Sequence, residues 1–163
     1  FILKVLFHIC QMNHILKNWM TTTDALNLFK DLYQDFDSGK AISLMERMNI
    51  EKNVKIKELS KGMKEKFQLA LVMSRKAKIY ILDEPIGGVD PAARDFILDV
   101  ILKNYAEDAV VLISTHLIAD IEKIFDEIIF LKNGEVVLHE DSEELRTKRQ
   151  TSIDEIFREE FKC

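Results

Sequence analysis

Two short, wholly apolar runs, Ile79-Tyr80-Ile81-Leu82 and Val110-Val111-Leu112-Ile113, constrain the fold of this chain more than any other feature. Each is cut off at once by polar residues, the first by Asp83-Glu84-Pro85 and the second by Ser114-Thr115-His116. Between them a helix is predicted, with Asp90 as N-cap, Pro91 at the first helical position, and Phe96, Ile97, Val100 and Ile101 as its buried stripe. Strand, helix, strand with both strands lacking polar alternation is the pattern of a parallel sheet covered on both faces. The expected class is α/β.

Open parallel sheets bind ligands beyond the carboxyl ends of their strands. If the two strands are neighbours, Asp83, Glu84 and His116 meet at one edge. One carboxylate could hold Mg2+, the other orient a water, and the imidazole meet a phosphate oxygen. Taken alone, an Asp-Glu pair at a strand end is more often a solvated turn.

The rest of the chain surrounds this unit with helices. Residues 13–50 read as helical: Thr23 stands ahead of a periodic set made by Leu26, Phe29, Leu32, Tyr33 and Phe36, and a second helix is predicted from Ser38 to Met48. Glu51-Lys52-Asn53 marks a loop. Ser60 opens a further helix, whose Met63, Phe67, Ala70, Leu71 and Ser74 share one face. Its first residues, Leu59-Ser60-Lys61-Gly62-Met63, place a serine and a glycine where backbone amides can meet phosphate. From those five residues alone a plain N-cap is the better reading. Downstream, a helix is expected from Leu117 to Phe125, and Asn133-Gly134 between apolar runs signals a hairpin. Residues 143–163 read as a charged amphipathic helix.

The chain has 163 residues, enough for one ordinary domain, and a formal net charge of −5 without a basic run, which argues against nucleic acid as a partner. Cys10 and Cys163 lack metal-like spacing and are expected to be reduced thiols. His8, His14 and His139 have no partners at metal-ligand spacing either. The apolar stretch Phe1 to Phe7 is too short to span a bilayer and contains Lys4. The chain starts without methionine and reads as the interior of a longer protein.

Order and spacing together carry more than any single motif. Leu59-Ser60-Lys61-Gly62-Met63 resembles the ABC signature motif, and Ile79 through Pro85 resembles a Walker B strand with its catalytic glutamate. Gly87-Gly88-Val89-Asp90 resembles the D-loop and Ser114-Thr115-His116 the H-loop. Gln11, or with a one-residue offset Met12, stands where the family's Q-loop glutamine belongs. On these motifs the chain resembles the ATP-binding subunits of ABC transporters from the middle of their helical subdomain onwards. Lys61 and Met63 look like the export-type branch.

The resemblance implies a partial P-loop NTPase (RecA-like) parallel sheet with an ABC helical subdomain and its N-terminal strands missing. Residues 1–75 would be the entry segment and helical subdomain, 76–140 the RecA-like part, and 141–163 a C-terminal helical tail. It implies ATP and Mg2+ as ligands. Asp83 would hold the metal, Glu84 would orient or deprotonate the attacking water, and His116 would touch the γ-phosphate. Ser60, Lys61, Gly62 and Met63 would face ATP bound to a second ATP-binding subunit, and Asp90 would reach across the same interface. Gln11 would complete the ATP site. Such a dimer would sit on the inner face of the cell membrane through a transmembrane permease partner, with no nucleic acid expected.

No G-x-x-x-x-G-K-[ST] occurs in the sequence, and Gly39-Lys40 is followed by Ala41. Lys40 is therefore expected at a helix start, in solvent, and the chain alone is expected not to hydrolyse ATP. Two other classes share part of the pattern: the ABC-type head of a DNA-repair or chromosome-organising protein, and a non-catalytic regulatory relative.

Overall fold

Most α-helix starts among the described residues are set by side chains that satisfy orphan backbone amides. The computed structural model describes residues 15–161; Gln11, Met12, Cys10, Cys163, His8 and His14 lie outside them. Helix α1 (Thr22–Leu32) opens with a capping box, in which the Asp24 amide donates to Thr21 Oγ1 at 3.1 Å and the Thr21 amide donates to Asp24 Oδ2 at 2.8 Å. It thus starts ahead of Thr23, the residue that the periodicity favours.

The same periodicity runs on through Tyr33 and Phe36, yet α1 stops at Leu32. Tyr33 is extended, and the segment beyond it pairs with the end of helix α3 (Lys61–Met73): the Asp37 amide donates to the Ser74 carbonyl at 2.8 Å, and the Lys76 amide to the Asp35 carbonyl at 3.1 Å. Tyr33 and Phe36 still pack on Phe29, with ring centroids 5.3 and 5.5 Å away. The apolar spacing reports contact with the core but not helical backbone.

Helix α2 (Ser38–Arg47) is capped by Asp37, which accepts from the Lys40 amide at 2.9 Å. Lys40 departs from the expectation that it lies in solvent. Its Nζ donates to the Asn104 carbonyl at 2.5 Å, at the end of helix α4 (Pro91–Asn104). Desolvation holds its ammonium below the usual lysine range; Asp37 opposes the shift and Lys76 adds to it.

Strands β1 (Ile79–Asp83) and β2 (Val110–Ser114) pair in parallel, with Ile79 opposite Val110 and Asp83 opposite Ser114. The crossover α4 carries Asp90 as its N-cap, accepting from the Ala93 amide at 3.0 Å, and Pro91 in its first turn. Tyr80, Leu82, Ile97, Val100 and Ile101 are buried. The expectation of a sheet covered on both faces is corrected here. Tyr80 and Leu82 point to a covered face, whereas on the opposite face Ile79 and its neighbours Val110 and Leu112 are 38%, 62% and 48% exposed.

The described residues up to Thr115 form one compact unit, and those from His116 onward form a second. In the second, helix α5 (Ile118–Ile121) is a single turn, shorter than the expected span to Phe125. The backbone past it serves Ser142, whose hydroxyl donates to the Phe125 carbonyl and whose amide donates to the Asp126 carbonyl at 2.8 Å. Strands β3 (Glu127–Lys132) and β4 (Glu135–Asp141) form the antiparallel hairpin, with Asn133 and Gly134 both at positive φ.

The tail forms two helices in place of one. Gln150 takes a left-handed conformation that ends α6 (Ser142–Arg149), and Ser152 then caps α7 (Ile153–Glu160) by accepting from the Glu155 amide at 3.2 Å. That break turns Ile153 and Ile156 onto Ile118, Ile128, Phe130 and Leu145, which together form the core of this unit.

Candidate functional site at the carboxyl ends of β1 and β2

The parallel register sets Asp83 directly opposite Ser114. The Ser114 hydroxyl donates to Asp83 Oδ1. One residue beyond the strand, the Glu84 amide still donates to the Ser114 carbonyl at 2.8 Å, so the ladder carries on into the turn.

Glu84 then adopts φ 47°, a left-handed backbone that costs a residue with a Cβ about 1 kcal/mol or more. Three contacts hold it there. Its amide is fixed by Ser114, its carbonyl accepts from the Gly87 amide at 2.9 Å, and its Oε2 accepts from the Thr115 hydroxyl at 3.3 Å. Gly87 stands so close that an added Cβ would lie 3.2 Å from the Glu84 carbonyl oxygen and 3.3 Å from Glu84 Cβ. Gly88 supplies the second positive φ of the turn, at 73°.

Asp83 and Glu84 are thus consecutive carboxylates at a strand end, Asp83 exposed and Glu84 half-buried. Among the described residues, no group of three or more His, Cys, Asp or Glu side chains could hold a metal ion by itself. A carboxylate backed by a serine hydroxyl suits Mg2+, which keeps several waters and takes its other ligands from substrate phosphates.

The serine-glycine segment occupies the start of α3. Ser60 is the N-cap and accepts from the Met63 amide at 3.2 Å. Around Gly62 an added Cβ would meet nothing within 4 Å. Lys61 is 88% exposed, its Nζ 3.9 Å from Glu65. The result is a helix N-terminus with an exposed hydroxyl and an uncrowded glycine, open to an approaching anion. Asp90 is exposed at the start of α4, and His116 is exposed at the first position of the second unit.

The family model described as "AAA domain, putative AbiEii toxin, Type IV TA system" matches residues 11–119, about two thirds of the chain. The ABC transporter ATP-binding protein YtrB of Bacillus subtilis (strain 168) is 32% identical over 127 residues, covering 77% of this chain and 44% of that protein. The ABC-type transporter ATP-binding protein EcsA of the same organism is 33% identical over 121 residues, covering 71% and 49%. The chain belongs to the ABC-type ATPase family. A solved ATP-binding subunit of an ABC transporter superposes on this family member with a TM-score of 0.77 and 27% identity, over 88% of this chain and 63% of that one. The fold is that of the P-loop NTPases, here with a two-stranded parallel sheet and helices. The chain spans less than half the length of these curated relatives.

Two features of this candidate site are not announced by the sequence. Ser114 and Thr115 were legible as part of a motif, but not as hydroxyl donors to the two carboxylates. The only signal for that pairing is the parallel register, which puts each polar strand end beside the other. Nor does any residue pattern announce a left-handed glutamate; the nearby Gly87-Gly88 pair is its one sequence mark.

Proposed function

We propose that this chain is the C-terminal part of a subunit that binds and hydrolyses ATP to power an ABC membrane transporter of the export type. The observation that carries the reading is Glu84, fixed in a left-handed conformation beside Asp83 at the end of a parallel strand. An enzyme that must aim one carboxylate at a water and another at a phosphate-bound cation needs the two fixed side by side.

In this reading Glu84 accepts a proton from the attacking water as its oxygen bonds to the γ-phosphorus. The bond from that phosphorus to the bridging oxygen breaks, and ADP and inorganic phosphate leave. Asp83 would hold Mg2+, in part through water, with Ser114 fixing its carboxylate; the ion supplies charge neutralisation on the phosphates. His116 is assigned to the γ-phosphate on the resemblance of Ser114-Thr115-His116 to the H-loop. No phosphate-cradling G-x-x-x-x-G-K-[ST] lies in these residues. The reading therefore requires that element from sequence outside them, which fits a chain spanning under half of its relatives.

Ser60, Lys61, Gly62 and Met63 would face the γ-phosphate of ATP held by a second subunit, with Asp90 at the same interface and Gln11 completing the ATP site. The helical part would push on a transmembrane permease, placing the subunit peripherally on the cytoplasmic face. Among the described residues no helix is long and apolar enough to cross a membrane. The net charge of −5 gives no reason to add nucleic acid as a partner.

Size measurements on the whole subunit test this. With ATP and Mg2+, Glu84→Gln should accumulate as a dimer, whereas Glu84→Gln combined with Ser60→Arg should remain monomeric. A Glu84→Gln protein that stays monomeric with ATP bound would count against a composite site.

A further inference from the structure

Beyond the roles carried by Asp83 and Glu84, the structure points to the two residues facing them. We infer that Ser114 and Thr115 are positioning residues, each holding one of the two carboxylates in its working orientation. The inference rests on the ATP-hydrolysing reading and adds two residues that act through others.

The geometry follows from the backbone. Because Asp83 lies opposite Ser114 in the parallel register, their side chains leave the sheet on the same side, and the Ser114 hydroxyl donates to Asp83 Oδ1. The Glu84 amide donates to the Ser114 carbonyl at 2.8 Å, which extends the register one step and brings Thr115 beside Glu84. The Thr115 hydroxyl donates to Glu84 Oε2 at 3.3 Å. Two successive hydroxyls thus match two successive carboxylates.

A hydrogen bond to one carboxylate oxygen restricts rotation of the group, and with it the directions from which the other oxygen can accept a proton. Without it, the side chain can rotate about its last, nearly two-fold bond. Gly87 limits the backbone and Cβ of Glu84, and the hydroxyl acts on its carboxylate. At the metal-holding carboxylate, Ser114 plays the part of an outer partner that orients a ligand.

The test uses the whole subunit. Thr115→Val keeps the shape and removes the donor; it should lower kcat about tenfold with KM for ATP changed less than about twofold. Thr115→Ser, which restores a hydroxyl, should recover most of the rate. In a Glu84→Gln background Thr115→Val should add nothing further. Ser114→Ala should weaken Mg2+ binding to the ATP-loaded subunit several-fold in titration calorimetry and raise the Mg2+ requirement for turnover alike, and Ser114→Thr should reverse both.

An active wild type with Thr115→Val equally active, or with Thr115→Ser as impaired as Thr115→Val, overturns the positioning role alone. If Thr115→Val fails to fold, the Ser114 pair decides: an unchanged Mg2+ requirement overturns the inference. A wild type without ATP turnover overturns both the inference and the reading beneath it.

Discussion

Gly87 lies against Glu84 so closely that a methyl group in its place would sit 3.2 Å from the Glu84 carbonyl oxygen and 3.5 Å from Oε2. Gly87 itself does not take a positive φ, so its smallness matters here and not its backbone freedom. The contact links turn geometry to the proposed chemistry. Alanine at this position must push Glu84 aside by a few tenths of an ångström. Gly87→Ala in the whole subunit should lower ATP turnover about tenfold while leaving the melting temperature within a few degrees of wild type. Turnover equal to wild type would show that the pose of Glu84 tolerates this shift.

Ser60 does two jobs in this account, and two substitutions separate them. As the N-cap of α3 it accepts from the Met63 amide at 3.2 Å. Ser60→Ala should cost about 1 kcal/mol in urea unfolding. Ser60→Asp restores a good cap, and so should recover the stability, but it places a negative charge where a phosphate is to bind. That variant should be stable and poor in turnover. If it is stable and fully active, the phosphate role for Ser60 fails.

Acid sensitivity should be detectable at α1. Hydrogen bonds from the Thr21 amide and hydroxyl hold the Asp24 carboxyl below its usual 3.8. A depressed carboxylate contributes stability above the unfolded-state value and loses it as pH falls through the folded one. The contribution should therefore be intact at pH 5 and fade below about pH 3.8. Asp24→Asn should lack that component, so the difference between the two proteins in denaturant melts should shrink as pH falls below that value. A difference that stays constant from pH 5 to pH 2 would contradict the assignment.

Arg75 joins the end of α3 to the segment that follows α1. Its guanidinium contacts both oxygens of Asp35 at 3.1 Å and lies 3.8 Å from the centroid of the Tyr33 ring. Both members of the pair are largely covered, with Arg75 27% and Asp35 31% exposed. Arg75→Ala should destabilise the chain by about 2 kcal/mol, and Arg75→Lys should recover little of it, because an ammonium cannot form the planar fork or stack. Recovery to wild-type stability with lysine would reduce the interaction to simple charge.

Much of the local structure around the candidate site is legible in the sequence. Asp83-Glu84-Pro85 ends a strand, Asp90-Pro91 starts a helix, and Asn133-Gly134 turns a hairpin, because each uses residues whose backbone or capping preference is strong and local. What was not legible depends on partners far along the chain. Tyr33 and Phe36 keep helical spacing without helical backbone, since residues 74–76 compete for the hydrogen bonds there. Lys40 leaves solvent only because Asn104 ends a helix beside it. The tail breaks at Gln150 although its charge pattern reads as continuous, because Ser152 offers a second start and Ile153 and Ile156 gain a core. Glu84 is the sharpest case: nothing in glutamate favours a left-handed turn, and its contacts with Ser114, Thr115 and Gly87 come from its neighbours in the fold and not from its own side chain.

The most direct test of the central claim is ATP turnover by the whole subunit beside the same protein carrying Glu84→Gln. Wild type should hydrolyse ATP in a Mg2+-dependent way, and the variant should bind ATP with similar affinity but turn it over at least about a hundredfold more slowly. A variant that hydrolyses ATP as fast as wild type would contradict the role given to Glu84. A wild type that neither binds nor hydrolyses ATP would contradict the function itself.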